Sequence, residues 1–363
     1  MSLELENISM SVDGKTHIYN TNLTLKKGTM NVLLGRTSSG KTSLMRIMAG
    51  LDVPTTGRIL WEGKDVTGMR VQDRKIAMVY QQFINYPSMS VYDNIAVPLR
   101  IMGQDENEID VKVRETAALM RLTNMLDRKP LELSGGQQQR CALARSLVKG
   151  SGLVLLDEPL ANLDYKLREE LRAEIPKMFE KSGAIFVYAT TEPEEALLLG
   201  GNVATLWEGK ITQFDETAKV YHHPNNATTS RVFSNPAMNF LTVEKIGNFI
   251  HFGQNEKIKA TDALENLDDG SYQLGFRPNH LELKKHSDNA IKFSAHLSVT
   301  EITGSETFLH MSYDNNTWIG LVHGVHDLEY DMDLSVYLDT RHIFVFEEED
   351  GVIVEAASYT KER

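Results

Sequence analysis

GRTSSGKT, residues 35–42, directly follows the strand-like run Met30 to Leu34. The spacing G-x-x-x-x-G-K-[ST] lets backbone N–H groups surround a phosphate, because Gly35 and Gly40 permit conformations and close approaches that a side chain would obstruct. A helix beginning near Lys41 would point its positive end at the anion and end at Gly50. The stretch therefore predicts an α/β fold with a phosphate-binding loop between a strand and a helix.

The loop residues have distinct expected tasks. Lys41 would reach the β and γ phosphates of a nucleoside triphosphate, and the hydroxyl of Thr42 would bind Mg²⁺. ATP and Mg²⁺ are therefore the expected ligands. The rest of the loop is expected to contact the nucleotide through Gly35, Arg36, Thr37, Ser38, Ser39, Gly40 and Ser43.

LVLLDE, residues 153–158, has the unbroken apolar pattern of a buried parallel strand. Ligands bind at the carboxyl ends of such strands, which is where Asp157 and Glu158 lie. Asp157 would hold Mg²⁺ through water, and Glu158 would orient or deprotonate the water that attacks the γ phosphate. An acidic pair ending a strand is usually only solvated, but Lys41 upstream favours the catalytic interpretation.

LSGGQQQR, residues 133–140, predicts a second helix start with free N–H groups. Leu143 and Leu147 recur at helical spacing behind it, and Gly150 ends the pattern. A second phosphate would bind there, contacted by Ser134, Gly135, Gly136 and Gln137.

In this order and spacing the motifs resemble the ATP-binding subunits of ABC transporters, whose signature is LSGGQ. The resemblance implies a head-to-tail dimer in which each signature clamps the γ phosphate held by the partner's loop. It also implies roles for two further residues. Gln81, in MVYQQFINYP, matches the glutamine that serves the catalytic and metal site and couples it to the membrane subunits, and Asp164 matches the loop that crosses the dimer interface.

Three longer stretches resemble the sugar and polyol importers of the maltose and glycerol-3-phosphate type, most closely one of the two ATP-binding subunits of bacterial glycerol importers. They are QQFINYP, EPLANLDYKLREEL and VYATTEPEEALLLGG. This implies an ATPase at the cytoplasmic face of the inner membrane, with two permease subunits and, indirectly, a periplasmic substrate-binding protein. The cleft that receives the permeases would include Phe83, Tyr86, Val91 and Tyr92, although simple core packing explains apolar residues equally well.

Two positions depart from the family pattern. Thr191 stands where the family has a histidine that contacts the γ phosphate, and loss of one such contact costs roughly 3 to 4 kcal/mol in the transition state. Val12 stands where an aromatic ring stacks on adenine, a contact worth on the order of 1 to 3 kcal/mol. One hypothesis is a heterodimer whose partner retains the histidine. The alternatives are a regulatory subunit with weak hydrolysis and neutral drift with compensation nearby.

Composition excludes several classes of protein. The formal net charge is −12, which disfavours a nucleic-acid partner because no basic stripe is available. No stretch approaches the roughly 18 to 20 apolar residues of a membrane-spanning helix, and MSLELENISM is no secretory signal. The lone Cys141 cannot form an internal disulfide.

Pattern changes along the chain predict two domains, residues 1–235 and 236–363, with a helical insert at about 84–150 that includes an amphipathic helix. Pro176 is expected to kink or end the helix after Asp164. His222 to Asn239 is expected to be a linker or packed connector. Short strand patterns at residues 291–300, 317–322, 334–338 and 343–346 then predict a C-terminal all-β barrel. GFRPNHLEL and ITGSETFLHM resemble the oligonucleotide-binding-like (TOBE-type) barrels that mediate dimer contacts and regulation in sugar-importer ATPases.

Overall fold

The computed structural model describes residues 2–81, 84–161, 165–253, 256–329, 331–349 and 351–357. The chain divides into two compact units, Met1–Thr217 and Ala218–Arg363. The domain boundary placed after residue 235 stays a prediction. No helix among the described residues is both long enough and apolar enough to cross a bilayer.

The first unit alternates strands and helices. Its strands are β1 (Ser2–Val12), β2 (Lys15–Lys26), β3 (Met30–Leu34), β4 (Thr56–Trp61), β5 (Lys64–Asp65), β6 (Ile76–Val79), β7 (Leu153–Asp157), β8 (Ile185–Thr190), β9 (Asn202–Trp207) and β10 (Lys210–Glu216). Its helices are α1 (Lys41–Ala49), α2 (Val91–Ile101), α3 (Glu106–Leu119), α4 (Gly135–Leu147), α5 (Tyr165–Ser182) and α6 (Pro193–Leu199).

The main sheet of this unit has the strand order β10-β9-β3-β8-β7-β6. The pairs β3–β8, β3–β9, β7–β8 and β6–β7 are all parallel. Every residue of β3, β7 and β8 is buried, as expected of strands covered on both faces. Because these strands run in the same direction, the residues that follow Leu34, Leu156 and Ala189 meet at one edge of the sheet.

Residues 84–150, where a helical insert is predicted, contain α2, α3 and α4. Ile109, Val113, Ala117 and Met120 are all buried in one hydrophobic cluster, which confirms the amphipathic pattern of α3. Cys141 lies in the same cluster. Val91 is also fully buried there, so it packs the core and is not available for docking. Tyr92 is partly buried against the cluster.

Pro176 lies inside α5, so it does not end this helix, and the alternative of a kink stays a prediction. Leu171 and Ile175 lie four residues apart on one face of α5 and are buried in the same cluster as α3. Packing of this face offsets the backbone hydrogen bond that the proline cannot donate.

The second unit is rich in strands. Its elements are α7 (Thr217–His222), α8 (Ala227–Val232), β11 (Asn239–Ile246), β12 (Phe249–Phe252), β13 (Glu256–Lys259), β14 (Gly270–Phe276), β15 (Leu281–Glu282), β16 (Ala290–Ile302), β17 (Glu306–Tyr313), β18 (Asn316–His323), β19 (Met332–Asp339), β20 (Phe344–Glu347) and β21 (Ile353–Glu355). The strands form two antiparallel sheets, β13-β12-β11-β14-β20-β21 and β15-β19-β16-β17-β18. Trp318 and Phe293 pack edge to face in the core of this unit.

The stretch from His222 to Asn239 is a packed connector. It contains α8, whose first turn is capped by Asn226, since the side-chain oxygen of Asn226 accepts a hydrogen bond of 2.8 Å from the Thr229 N–H. Val232 and Phe233 are buried. The tail therefore agrees with the predicted strand-rich, OB-like fold class, preceded by an ordered helix.

Candidate active site

The loop from Gly35 to Thr42 is shaped by glycine. A Cβ atom on Gly35 would lie 2.5 Å from Ser39 Oγ and 2.6 Å from the Leu206 carbonyl oxygen, distances that no real side chain tolerates. Gly40 has φ of 105°, a left-handed conformation that favours glycine, immediately before α1 begins. The loop can therefore bring its backbone close to a ligand where a larger residue could not.

Lys41 projects into the curve of this loop. Its side chain is only 4% exposed, and its ammonium donates hydrogen bonds to the carbonyls of Gly35 at 2.8 Å and Arg36 at 3.1 Å. Lys41 Nζ also lies 3.2 Å from Glu158 Oε1. A buried cation in a glycine-shaped loop is suited to hold phosphate oxygens. Ser39 Oγ is buried nearby without a hydrogen-bond partner among the described residues, as expected of a group that serves a ligand.

Thr42 and Asp157 form the candidate metal site. The Thr42 hydroxyl donates a hydrogen bond of 3.2 Å to Asp157 Oδ1. The pKa of Asp157 is raised above its ordinary value, mainly by burial. The hydrogen bond from Thr42 opposes this shift, and the charge of Glu158 adds to it. A buried carboxylate beside a hydroxyl supplies the hard oxygen ligands that Mg²⁺ prefers, so the residues present fit that ion.

Glu158 lies between Lys41 and Gln81. Gln81 Nε2 donates a hydrogen bond of 3.1 Å to Glu158 Oε2, while the other carboxylate oxygen faces Lys41. The backbone N–H of Glu158 donates to the Ala189 carbonyl at 3.0 Å, and its φ is 44°. Left-handed conformations of non-glycine residues cluster at functional sites. The structure thus brings together Lys41, Thr42, Gln81, Asp157 and Glu158.

Thr191 follows β8 at the same edge of the sheet. It is exposed and makes no hydrogen bond to the residues that the structure describes. Its neighbours are firmly held: Thr190 Oγ1 accepts a hydrogen bond from the Glu192 N–H at 3.0 Å and donates one of 2.6 Å to Glu195 Oε2. Glu195 is 5% exposed and also accepts from Tyr188 and Arg172.

Comparison with known proteins agrees with this geometry. Residues 18–161 match the ABC transporter family. The chain is 35% identical to the trehalose/maltose import ATP-binding protein MalK of Thermococcus litoralis, over 93% of this chain and 95% of MalK. It is 36% identical to the sn-glycerol-3-phosphate import ATP-binding protein UgpC of Vibrio vulnificus, over 82% of this chain and 79% of UgpC.

The chain belongs to the ATP-binding proteins of ABC transporters. These proteins are ATPases. Among solved structures, the ABC ATPase resembles the dimeric ATP-binding cassette MJ0796 in a post-hydrolysis state bound to ADP and phosphate, with 26% identity and a TM-score of 0.53 over 59% of this chain and 98% of that one. It also resembles cbiO1 of Clostridium perfringens, at 26% identity and a TM-score of 0.56 over 61% and 90% of the two chains.

The signature of the ABC ATPase opens α4 as the sequence predicts. Ser134 is the N-cap: its hydroxyl accepts from the Gln137 N–H at 3.4 Å, while Gln137 Oε1 accepts from the Ser134 N–H at 3.0 Å. This reciprocal capping box fixes the start of the helix. Ser134 and Gly135 are exposed, so their backbone is accessible to a second molecule.

Two expected site residues, Asp164 and Phe83, lie outside the described residues. Tyr86 is 43% exposed, and the Arg145 guanidinium lies 5.0 Å from its ring centre. Val12 is 42% exposed at the end of β1. That Val12 stands where an aromatic ring would stack on adenine stays a prediction.

Sequence reasoning missed two contacts around the loop. The Arg36 guanidinium lies 5.1 Å from the centre of the Trp207 ring, a cation–π arrangement that ties the loop to the end of β9. Tyr19 is an exposed aromatic residue whose N–H donates to Gly209, and Gly209 in turn donates to the Ser39 carbonyl. Both contacts join residues that are far apart in sequence. The only sequence signal for them is an aromatic residue close to a turn, which is too common to predict a contact.

Proposed function

We propose that the chain is the ATP-hydrolysing subunit of a bacterial importer for glycerol or a related polyol or sugar. The observation that carries this is the convergence of Lys41, Asp157 and Glu158 on the glycine-shaped loop. The relatives named as import proteins for maltose and glycerol-3-phosphate support the transport class. The glycerol assignment rests on the sequence resemblance, and glycerol-3-phosphate is the alternative substrate.

In the proposed reaction, the loop and Lys41 hold the triphosphate, and a water attacks the γ phosphorus in line with the leaving ADP. Glu158 orients that water and accepts its proton as the new phosphorus–oxygen bond forms and the bond to ADP breaks. Mg²⁺, held by Thr42 and Asp157 with Gln81 nearby, would neutralise charge on the phosphate oxygens. Phosphate binding requires Lys41 to exchange its contacts with the loop carbonyls and Glu158 for contacts with the ligand.

We further propose that the subunit works as a dimer with composite sites. Ser134, Gly135, Gly136 and Gln137 of each protomer would complete the partner's site, with Asp164 at the interface. The exposed start of α4 supports this arrangement, because free helix N–H groups attract phosphate. Two permease subunits, and a periplasmic binding protein acting through them, would complete an importer at the cytoplasmic face of the inner membrane.

A second candidate is favoured by Thr191: a regulatory, hydrolytically weak subunit paired with a related ATPase that retains the histidine. Threonine is neutral and short, and here it is exposed without hydrogen bonds to the described residues. Such a chain would bind nucleotide and lend its signature to the partner's faster site.

The Glu158→Gln substitution separates these candidates. The assembled transporter carrying this change only in this chain is assayed for ATP turnover and for uptake of labelled glycerol and glycerol-3-phosphate. Full loss of turnover means that this chain's site does essential chemistry and rejects the asymmetric model. Unchanged turnover means that its site only binds nucleotide. Retained uptake in a Lys41→Ala transporter would contradict both candidates.

A further inference from the structure

A polar cavity lies in the second unit, where the residues before and after β15 face those at the end of β19. Its volume is about 130 Å³. A cavity of about 150 Å³ holds a molecule the size of benzene, and glycerol has the same number of non-hydrogen atoms. All of the candidate active-site residues belong to the other unit, so the cavity is a separate feature.

One wall of the cavity is a pair of histidines. The rings of His280 and His342 stack with their centres 4.0 Å apart and their planes inclined by 26°. Burial lowers the pKa of His280 to about 3, and burial also lowers the pKa of His342. Both rings are therefore uncharged at neutral pH, and the wall offers flat faces with polar edges.

The charged groups of the cavity disfavour an anionic ligand. Asp339 accepts hydrogen bonds of 2.9 Å from Arg341 Nη2 and from the Arg341 backbone N–H. Glu282 adds a second carboxylate to the lining. Apart from the histidines, the charged groups of the lining are therefore Arg341 and two carboxylates, and Arg341 is already paired with Asp339. A phosphate or carboxylate ligand would meet net negative charge.

A metal ion is disfavoured as well. No group of three or more His, Cys, Asp or Glu side chains in the described ranges is arranged to hold one. What the cavity offers is a mixture of donors and acceptors: the Ser287 hydroxyl, the imidazole edges, the guanidinium and the carboxylates. Hydroxyl groups both donate and accept, so a molecule carrying several of them can satisfy such a lining.

We propose that this cavity binds a small neutral polyhydroxy molecule of about the size of glycerol. The Glu282 carboxylate accepts hydrogen bonds from its hydroxyls, the remaining N–H groups of Arg341 donate to them, and the Ser287 oxygen, whose proton already bonds Asp339, accepts from them. The edges of the stacked pair of His280 and His342 border its carbon backbone. The C-terminal unit would thereby carry a ligand site of its own, distinct from the nucleotide site.

Isothermal titration calorimetry on the full chain, purified without glycerol, tests this. We expect saturable binding of glycerol at one site, binding of propane-1,2-diol weaker by about tenfold for the missing hydroxyl, and no binding of orthophosphate. Absence of saturable glycerol binding at millimolar concentrations overturns the proposal, as does preferential binding of orthophosphate. The test uses the chain without its transporter, so its failure would leave the proposed transport function untouched.

Two phenylalanine variants locate the site. Ser287→Phe fills the cavity and should abolish glycerol binding, whereas Lys284→Phe, at an exposed position outside the lining, should leave it unchanged. Thermal unfolding of both variants reports whether they are folded. If Ser287→Phe does not fold, Ser287→Ala replaces it, and weaker binding of glycerol is expected. Unchanged binding in a folded Ser287→Phe or Ser287→Ala chain overturns the assignment.

Discussion

Of the two glycines that shape the phosphate-binding loop, Gly35 leaves less space for a Cβ atom than Gly40. An alanine there would press its Cβ against the Leu206 carbonyl, which belongs to the backbone of β9 and cannot turn away. We expect Gly35→Ala to shift the loop and weaken ATP binding by at least about tenfold, since a loss of about 1.4 kcal/mol is enough for that. Fluorescence titration with a labelled ATP analogue measures the change.

Gly68→Ala is the matched control, because a Cβ there meets nothing within 4 Å and the backbone is not left-handed. Equal affinities of Gly35→Ala and the unaltered chain would show that the loop does not need its close approach to β9.

Thr191 offers a gain-of-function prediction at the residue scale. If the missing histidine limits hydrolysis, Thr191→His should raise the turnover number of this chain's site by at least about tenfold, within the range that one preorganised contact supplies. Thr191→Ala should leave turnover unchanged, because the threonine makes no hydrogen bond to the described residues. A steady-state phosphate-release assay compares the three proteins. A large drop in Thr191→Ala would contradict the neutral role given to the threonine.

Residues that contact the ligand through a motif could be predicted from sequence, and residues that act through long-range packing could not. Lys41, Thr42, Asp157 and Glu158 fall together because strand ends of a parallel sheet share an edge, which the pattern of buried strands already implies. The stacking of Arg36 on Trp207 depends on which strand lies beside β3. No local sequence pattern predicts that this neighbouring strand is β9.

At the scale of elements, the loop after β8 is anchored by a buried network on α6. Glu195 accepts hydrogen bonds from Tyr188 OH at 3.0 Å and Thr190 Oγ1 at 2.6 Å, and it pairs with Arg172 of α5 at 3.2 Å. Removal of the Glu195 carboxylate leaves the Tyr188 and Thr190 hydroxyls without their acceptor in the interior, at a cost of about 1 to 3 kcal/mol each, while Arg172 keeps Glu169 and Glu192. We expect Glu195→Ala to lower the free energy of unfolding by about 3 kcal/mol.

Urea denaturation measures this loss. Glu115→Ala, at an exposed position in the middle of α3, is the control and should change the free energy of unfolding by less than about 0.5 kcal/mol. A Glu195→Ala protein as stable as the control would mean that the network contributes no net stability.

Element types followed from the sequence more reliably than element ends. The strand patterns at residues 291–300, 317–322, 334–338 and 343–346 each correspond to a strand of the second unit within a few residues. Of the two outcomes expected at Pro176, a kink or a helix end, the end does not occur: α5 continues to Ser182, and burial of Leu171 and Ile175 outweighs one lost hydrogen bond. Local propensity could not reveal how well that face packs.

At the scale of the whole molecule, the second unit should lose stability in mild acid. Burial keeps the pKa of His280 at about 3, below the ordinary value near 6.5 that it regains on unfolding. Between these two pH values the unfolded chain binds more protons than the folded chain. The contribution of His280 to the free energy of unfolding is therefore complete above about pH 6.5 and decreases as the pH falls towards 3. The slope from one such group is at most about 1.4 kcal/mol per pH unit.

Urea unfolding at pH 7, 6 and 5 measures the decline, followed by the fluorescence of Trp318 in a chain that carries Trp61→Phe and Trp207→Phe. We expect it to be shallower in His280→Asn. His296→Asn is an opposite control: the hydrogen bonds that the His296 ring donates to Asp333 and Asp331 raise its pKa, so its contribution to stability is present at low pH and is lost as the pH rises. His296→Asn should therefore steepen the decline in acid. An identical pH dependence in all three proteins would contradict the buried-histidine explanation.

The single cysteine of the chain has a practical consequence. Cys141 is fully buried, and burial raises the pKa of its thiol to about 11, so almost no thiolate is present at neutral pH. Maleimide dyes will not label the native chain, and any exposed cysteine introduced by mutagenesis becomes a unique attachment point. Fluorophores placed in this way can test the proposed dimer and its closure without first removing a natural residue of this chain.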